Sequence, residues 1–350
     1  MLGVRAPAQP IVLGGLPRLP RLWAIAGVAA LLLACGVGVL VGPAPIGPGT
    51  VFGALTGGSI DPGQANILWS LRFPRVVLGA IVGGTLAIAG AAYQGVFRNP
   101  LADPYLLGAA AGANLGATVA IALDPGSYVF GVNVVPLAAF VGAGAAVAGA
   151  YALGRTVSGF RSTVGLILAG IAIAAFFNSI QSYVQETHSG SIRQAYSWIL
   201  GRLVTAGWDS VILVLPYVAI GIAIIFLHRR LLDALMVGEE EVTSLGISVR
   251  QVRLTIVIAA TLATAAVVAV GGTIAFVGII VPHTIRLLVG RSYRVVIPLA
   301  LLFGAAFLVL ADSVARSIAA PAEIPIGVIT AFVGAPFFIA VLRSTRAAAL

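Results

Sequence analysis

Apolar residues run through this chain in long unbroken stretches, not in the alternating or heptad patterns of water-soluble elements. Ten such stretches fall near 21–41, 70–95, 105–123, 133–154, 163–185, 208–228, 252–270, 274–290, 295–315 and 325–343. A helix of roughly 20 apolar residues crosses the hydrocarbon core of a bilayer. Helix is also the form in which a single segment satisfies its own backbone polar groups in lipid. The pattern predicts an all-α integral membrane protein with ten transmembrane helices, built as a tail over residues 1–20 and one transmembrane domain over residues 21–346. An even number of spans puts both termini on one side.

Charge decides which side. The chain is 60% hydrophobic and 9% charged, and its 20 basic residues are all arginine. With cytoplasmic termini, fifteen arginines (Arg5, Arg18, Arg21, Arg98, Arg155, Arg161, Arg229, Arg230, Arg250, Arg253, Arg286, Arg291, Arg294, Arg343 and Arg346) lie inside. Five (Arg72, Arg75, Arg193, Arg202 and Arg316) lie outside. Acidic residues divide five to six, so the inner face is strongly positive, the bias expected of cytoplasmic loops. Arginine in these positions serves topology and contact with anionic headgroups, and no aromatic-interleaved basic patch suggests a nucleic-acid partner. Leu32, Leu33, Ala34, Cys35 and Gly36 loosely resemble a lipoprotein cleavage box. The apolar run continues to Val41, longer than a usual signal segment, and reads as an uncleaved first helix.

The composition excludes several chemistries. Without lysine the chain has neither a Walker A loop nor a Schiff-base residue. The single cysteine, Cys35, can form no disulfide or thiolate metal site within one chain. His188, His228 and His283 lack a carboxylate or cysteine at ligand spacing and read as loop or packing residues, so no metal site is expected. Asp103, Asp124, Asp209, Asp233 and Glu239 to Glu241 lie in or beside loops, while Asp312 and Glu323 lie near outer helix ends. The missing midplane charge argues against an ion-coupled carrier. No nucleophile–base or clustered-aspartate arrangement supports an intramembrane enzyme.

Several polar groups need an explanation. Arg72 and Arg75 share a face at the start of the second span. Positive charge at a helix N-terminus opposes the dipole, which leaves headgroup anchoring or contact with another protein as roles. Asn99-Pro100 and Pro104 stop the same helix at its inner end. Residues 231–253 form the longest cytoplasmic loop and hold the only acidic run, read as short amphipathic helices broken at Gly238 and Gly246. In the fifth span Asn178, Gln181, Ser182 and Gln185 fall at i, i+3, i+4 and i+7, a polar stripe on an apolar helix. Facing lipid it would be costly; it suits interhelical hydrogen bonds or the lining of a wet pathway.

Five segments, in order, carry a resemblance. They are Leu71-Arg72-Phe73-Pro74-Arg75; Arg98-Asn99-Pro100-Leu101-Ala102-Asp103-Pro104 with Tyr105-Leu106-Leu107-Gly108; and Gly238-Glu239-Glu240-Glu241 with Ser244-Leu245-Gly246 and Arg250. Phe276-Val277-Gly278-Ile279-Ile280-Val281-Pro282-His283 follows. The last joins Ala311-Asp312-Ser313-Val314-Ala315-Arg316, Pro321-Ala322-Glu323-Ile324-Pro325-Ile326-Gly327 and Gly334-Ala335-Pro336-Phe337. Over about residues 65–343 the chain resembles the FecCD family, permease subunits of ABC importers for ferric siderophores, haem and cobalamin.

The resemblance implies a type II ABC importer permease, multi-pass in the cytoplasmic membrane and not itself an enzyme. It would bind no cofactor, since ATP and Mg belong to cytoplasmic ABC ATPase subunits. The other implied partners are an extracytoplasmic substrate-binding protein and a second permease copy or paralogue, a homodimer in the simplest case. By resemblance, Arg72, Arg75 and Arg316 would dock the binding protein, and Asn99 and Leu101 would form the cytoplasmic gate. Gly238, Glu239 and Gly246 would couple to the ATPase, and Asn178, Gln181, Ser182 and Gln185 would line the pathway. The implied cargo is a ferric siderophore, with haem and cobalamin as alternatives and a secondary solute carrier as the rival class.

Overall fold

The computed structural model describes residues 19–124, 126–129, 131–158, 163–203, 207–244 and 246–347. Arg5, Arg18, Arg161 and Leu245 lie outside these, as does the predicted tail except for its last two residues.

Every predicted apolar stretch contains a helix. The ten are α1 (Arg21–Leu40), α4 (Phe73–Phe97), α5 (Ala109–Leu123), α6 (Val134–Ser158), α7 (Thr163–Thr187), α9 (Trp208–Val237), α11 (Val249–Gly271), α12 (Val277–Leu288), α13 (Tyr293–Ser317) and α14 (Ile326–Ala347). Seven are long and apolar enough to cross a membrane; α5, α12 and α14 have shorter apolar segments. Between them lie α2 (Pro48–Thr56), α3 (Pro62–Asn66), α8 (Ile192–Ile199) and α10 (Glu239–Ser244). A π-helical turn at Ile67–Arg72 joins α3 to α4. The loop after α5 carries one small hairpin, Tyr128–Val129 paired antiparallel with Val132–Asn133.

Two departures from the sequence reading have local causes. The 274–290 stretch is helical only over the 12 residues of α12. At a rise of about 1.5 Å per residue this falls short of a bilayer core. The chain before it is irregular because Gly272 and Phe276 both take left-handed backbone. There the 199–202, 271–274 and 325–327 segments satisfy one another, with Arg202 N–H on Gly271 O (3.0 Å), Thr273 Oγ1 on Ile199 O (2.5 Å) and Ile326 N–H on Gly201 O (3.2 Å). The second departure is at residues 231–237, which continue α9 instead of opening a loop. Asp233 there caps α13, accepting from Tyr293 N–H (2.5 Å) and the Ser292 hydroxyl (2.8 Å).

The core is organised around α4, which is buried along most of its length and packs against α9, α11, α12 and α13. Helices in lipid gain nothing from burying apolar side chains against each other rather than against acyl chains, so they adhere where small residues let backbones approach. A Cβ on Gly83 would overlap Gly304 O, one on Gly90 would overlap Gly278 O, and Gly112 and Gly142 block each other in the same way. These contacts set the α4–α13, α4–α12 and α5–α6 distances. By contrast α1, α7 and α9 leave most of their surface uncovered by this chain.

Gly90→Leu should therefore drive α4 from α12, an overpacking cost of about 1–3 kcal/mol or more. The expected result is a lower unfolding temperature in detergent. Gly36→Leu, where the added carbon meets nothing within 4 Å, should leave it unchanged.

Candidate functional site

The outer ends of α1, α4 and α13 meet in a buried cluster of charge. The last four carbonyls of α1 have no partner within the helix. Val41 N–H takes Val37 O, and two arginines from elsewhere take the other three. Arg316 Nη2 donates to Gly38 O at 2.9 Å, while Arg72 Nη1 donates to Val39 O at 2.6 Å and Leu40 O at 2.8 Å. Arg72 also reaches Ala44 O through Nη2. A cation at a helix C-terminus meets the negative end of the dipole, worth about 0.3–2 kcal/mol.

The third arginine makes ion pairs. Arg75 lies bidentate on Asp312, with Nη2–Oδ1 at 2.8 Å and Nε–Oδ2 at 3.0 Å. It also spans Glu323, with Nη1–Oε1 at 3.0 Å and Nη2–Oε2 at 3.1 Å. Asp312 Oδ2 also pairs with Arg316 Nε at 3.1 Å. The group ties α4 to α13 and to the segment that leads into α14.

All three arginines named for binding-protein docking lie in this cluster, each bonded within the chain. Arg72 and Arg316 are 4% and 3% exposed; Arg72 donates to the end of α1 and to Ala44, and Arg316 divides between α1 and Asp312. The dipole that holds the Arg72 charge belongs to α1, not to the helix that carries the residue. Arg193 and Arg202, by contrast, are exposed outside the cluster.

At the inner end of α4 the predicted turn is built as expected from Asn99 and the prolines. Arg98 takes the left-handed C-cap conformation, and Asn99 N–H closes on Gln94 O at 3.1 Å. Asn99 Oδ1 accepts from Leu101 N–H (2.9 Å) and Asp103 Oδ1 from Tyr105 N–H (2.8 Å), so both side chains bind the turn itself. Leu101 is half-buried. Burial pushes the Asp103 carboxyl up to about 6, against the lowering effect of the Tyr105 N–H.

Sequence reasoning missed Gln94, which welds three segments together. Its Nε2 donates to Ala102 O (3.2 Å) and Gly278 O (3.0 Å), and its Oε1 accepts from Arg286 Nη1 (2.5 Å). Arg286 also lies over the Tyr293 ring, 5.5 Å from its centre. An amide near the inner end of an otherwise apolar span was the available signal. His283 meets Phe337 edge-on at 5.9 Å and packs as a ring.

The α10 helix hangs between two glycines. Gly238 is fully extended and ends α9. Gly246, with φ +77°, reverses the chain after α10, its N–H on Thr243 O at 2.9 Å. Only Val242 of α10 is buried, so Glu240, Glu241, Thr243 and Ser244 remain at the surface. Glu239 is partly tied down by Arg253, Nη2–Oε1 2.5 Å. On α7, Asn178 and Ser182 are exposed and Gln181 and Gln185 half-buried, with Ser182 bonded to Asn178 O at 2.9 Å. Gln185 Nε2 is buried with no hydrogen-bond partner among the described residues.

Two outcomes follow. Asp312→Ala leaves Arg75 with Glu323 alone and removes the ion pair of the buried Arg316, and should cost about 3–5 kcal/mol of stability. The Arg75→Met, Asp312→Leu pair should recover part of it, read by thermal unfolding as a double-mutant cycle. The raised Asp103 value means that its carboxyl favours the fold below its ordinary 3.8 and that this benefit is lost as pH rises through about 6. Asp103→Asn keeps the acceptor for Tyr105, so it should raise the unfolding temperature at pH 7.5 and lose that advantage near pH 4.

Comparison with known proteins agrees with this architecture. Residues 29–344 match the model of the FecCD transport family. The chain is 42% identical over 285 residues to YvrB of Bacillus subtilis (strain 168), an uncharacterised ABC transporter permease, covering 81% of each chain. It is 43% identical over 284 residues to the cobalamin import permease BtuC of Halobacterium salinarum, covering 81% of this chain and 75% of that one. The hemin transport permease HmuU of Yersinia pestis is 36% identical over 306 residues, covering 84% and 88%. A solved structure described as an inward-facing, metal-chelate type ABC transporter superposes with a TM-score of 0.81 at 26% identity, covering 93% of this chain and 100% of that one. On this evidence the chain belongs to the FecCD transport family and is a membrane permease.

Proposed function

We propose that this chain is the membrane subunit of a binding-protein-dependent ABC importer that moves a ferric siderophore into the cytoplasm. ATP is hydrolysed on separate ATPase subunits, and a second copy of this chain completes the pathway. The observation that carries the reading is α10: a short acidic helix set between Gly238 and left-handed Gly246, anchored through buried Val242 and the Glu239–Arg253 ion pair and otherwise exposed on the positive, cytoplasmic side. A helix presented in this way supplies a surface for a partner and can move as a unit with it. The α7 stripe of Asn178, Gln181, Ser182 and Gln185 supplies neutral amides and a hydroxyl, with Asn178 and Ser182 exposed and Gln181 and Gln185 half-buried, suited to an oxygen-rich chelate that passes without chemical change. Asn99 and Leu101, in the tight inner turn, sit at the proposed cytoplasmic gate.

A cobalamin cargo is the second reading, favoured by the 43% identity to a relative named for cobalamin import. Proteoliposomes holding this chain with its ATPase and binding protein separate the two. ATP-dependent accumulation of a ferric hydroxamate supports the first reading; accumulation of cobalamin alone replaces it. Uptake without ATP would overturn both. Gly246→Val forces a β-branched residue into the left-handed region at a cost of about 1–2 kcal/mol. It should uncouple ATP hydrolysis from uptake while the chain still assembles, as judged by co-purification of the ATPase.

A further inference from the structure

The short outer helix α2 is covered on one side only. Val51 and Ala54 pack onto a small core that includes Ala34 and Val39 of α1 with Ile46, Leu68 and Val76. Phe52 and Leu55, three apart on the neighbouring face, are 70% and 63% exposed. The polar groups of α2 need no water. The Thr50 hydroxyl donates to Gln64 Oε1 at 3.1 Å and the Thr56 hydroxyl to Phe52 O at 2.9 Å. Between Arg21 and Arg72 the chain carries a single charge, Asp61, which lies beyond α2 and caps α3 through Gln64 N–H at 3.0 Å.

The surroundings of α2 point to what covers it. The helix α1 has 20 residues. At about 1.5 Å each they rise roughly the thickness of a hydrocarbon core, so Leu40 ends at the outer boundary and α2 follows from Pro48. Packed on α13, α1 leaves an apolar row, Leu32, Leu33 and Val37, exposed up to that boundary. After α3 come two exposed tryptophans, joined by Trp208 Nε1–H on Trp69 O at 2.7 Å. Trp208 opens α9, whose Ile212 and Leu215 are also uncovered. Tryptophans at the ends of spans sit at the headgroup level. Along the chain, α2 is therefore set between two membrane-facing segments at one depth.

We propose that α2 lies in the outer leaflet as an interfacial helix, with Phe52 and Leu55 inserted at the boundary between headgroups and acyl chains. It lacks the basic face of helices that hold anionic lipid, so its hold is apolar and indifferent to headgroup charge. The inference depends on the membrane orientation and on neither cargo nor ATPase.

Spin labels on Phe52→Cys and Leu55→Cys, each in a Cys35→Ala background, test it in liposomes of phosphatidylcholine with or without phosphatidylglycerol. Leu33→Cys serves as the reference within the bilayer. Both α2 labels should be relaxed several-fold more by oxygen than by a water-soluble nickel chelate, equally in the two lipid mixtures. Greater access to the nickel chelate would put the face in water and overturn the proposal. Poor access to both reagents would put it against protein, a second copy of this chain, and overturn it as well. In the unaltered chain, a diazirine-bearing phospholipid should mark Phe52 or Leu55 on peptide mapping. Marking of α1 without α2 would overturn the proposal even if the labelled variants failed to fold.

Discussion

A polar group inside a bilayer has no water to turn to, and this constraint accounts for most of what is unusual in the chain. Backbone groups meet it through helix, and where helix stops another segment must supply the partner. The carbonyl end of α1 is the clearest case: it stops at Leu40, and Arg72 and Arg316 arrive from α4 and α13 to take its last carbonyls. With those two cations committed to α1, Asp312 and Glu323 gather around Arg75 and Arg316, and the approach to α14 is fixed in turn. The same rule operates at the inner side, where Gln94 satisfies the carbonyls of Ala102 and Gly278.

The constraint also explains why glycine is so abundant. The chain has 43 glycines. In water such a composition would weaken helices, but in lipid the helix is already enforced and adhesion is what has to be gained. Where Gly90 meets Gly278, or Gly83 meets Gly304, the backbones touch, and touching helices hold their relative position more rigidly than helices spaced by leucine. The α4 helix, gripped in this way by α12 and α13, is a fixed post. The α10 helix, joined through glycines, one buried valine and the Glu239–Arg253 ion pair, is held far more lightly.

The helices were legible in the sequence because length and hydropathy specify them one segment at a time. The turn at 98–108 was legible for the same reason: Asn99, Pro100 and Pro104 act on their own neighbours. What escaped was every fact that depends on two distant segments. Arg72 reads as a charge at the wrong end of α4 until α1 is placed beside it, 32 or 33 residues back in the chain. Gln94 reads as one amide in a long apolar run until Arg286, 192 residues on, is seen to meet it. Gly272 and Phe276 look like ordinary members of an apolar stretch, and only their left-handed backbone shows that α12 begins late.

The α7 helix shows where the chain's own contacts run out. Its inner half is held by glycine, with a Cβ on Gly170 running into the backbone of Leu106 and Leu107, yet its outer half turns Asn178 and Ser182 away from the rest of the protein. An isolated polar stripe in lipid would be opposed by the rule that everywhere else in this molecule is obeyed with two or three partners per group. Gln185 Nε2, buried with no partner among the described residues at the far end of the same stripe, extends the deficit by a further turn. A surface that the chain cannot satisfy by itself calls for water, cargo or a second copy across it, and a pathway between two such helices would supply all three.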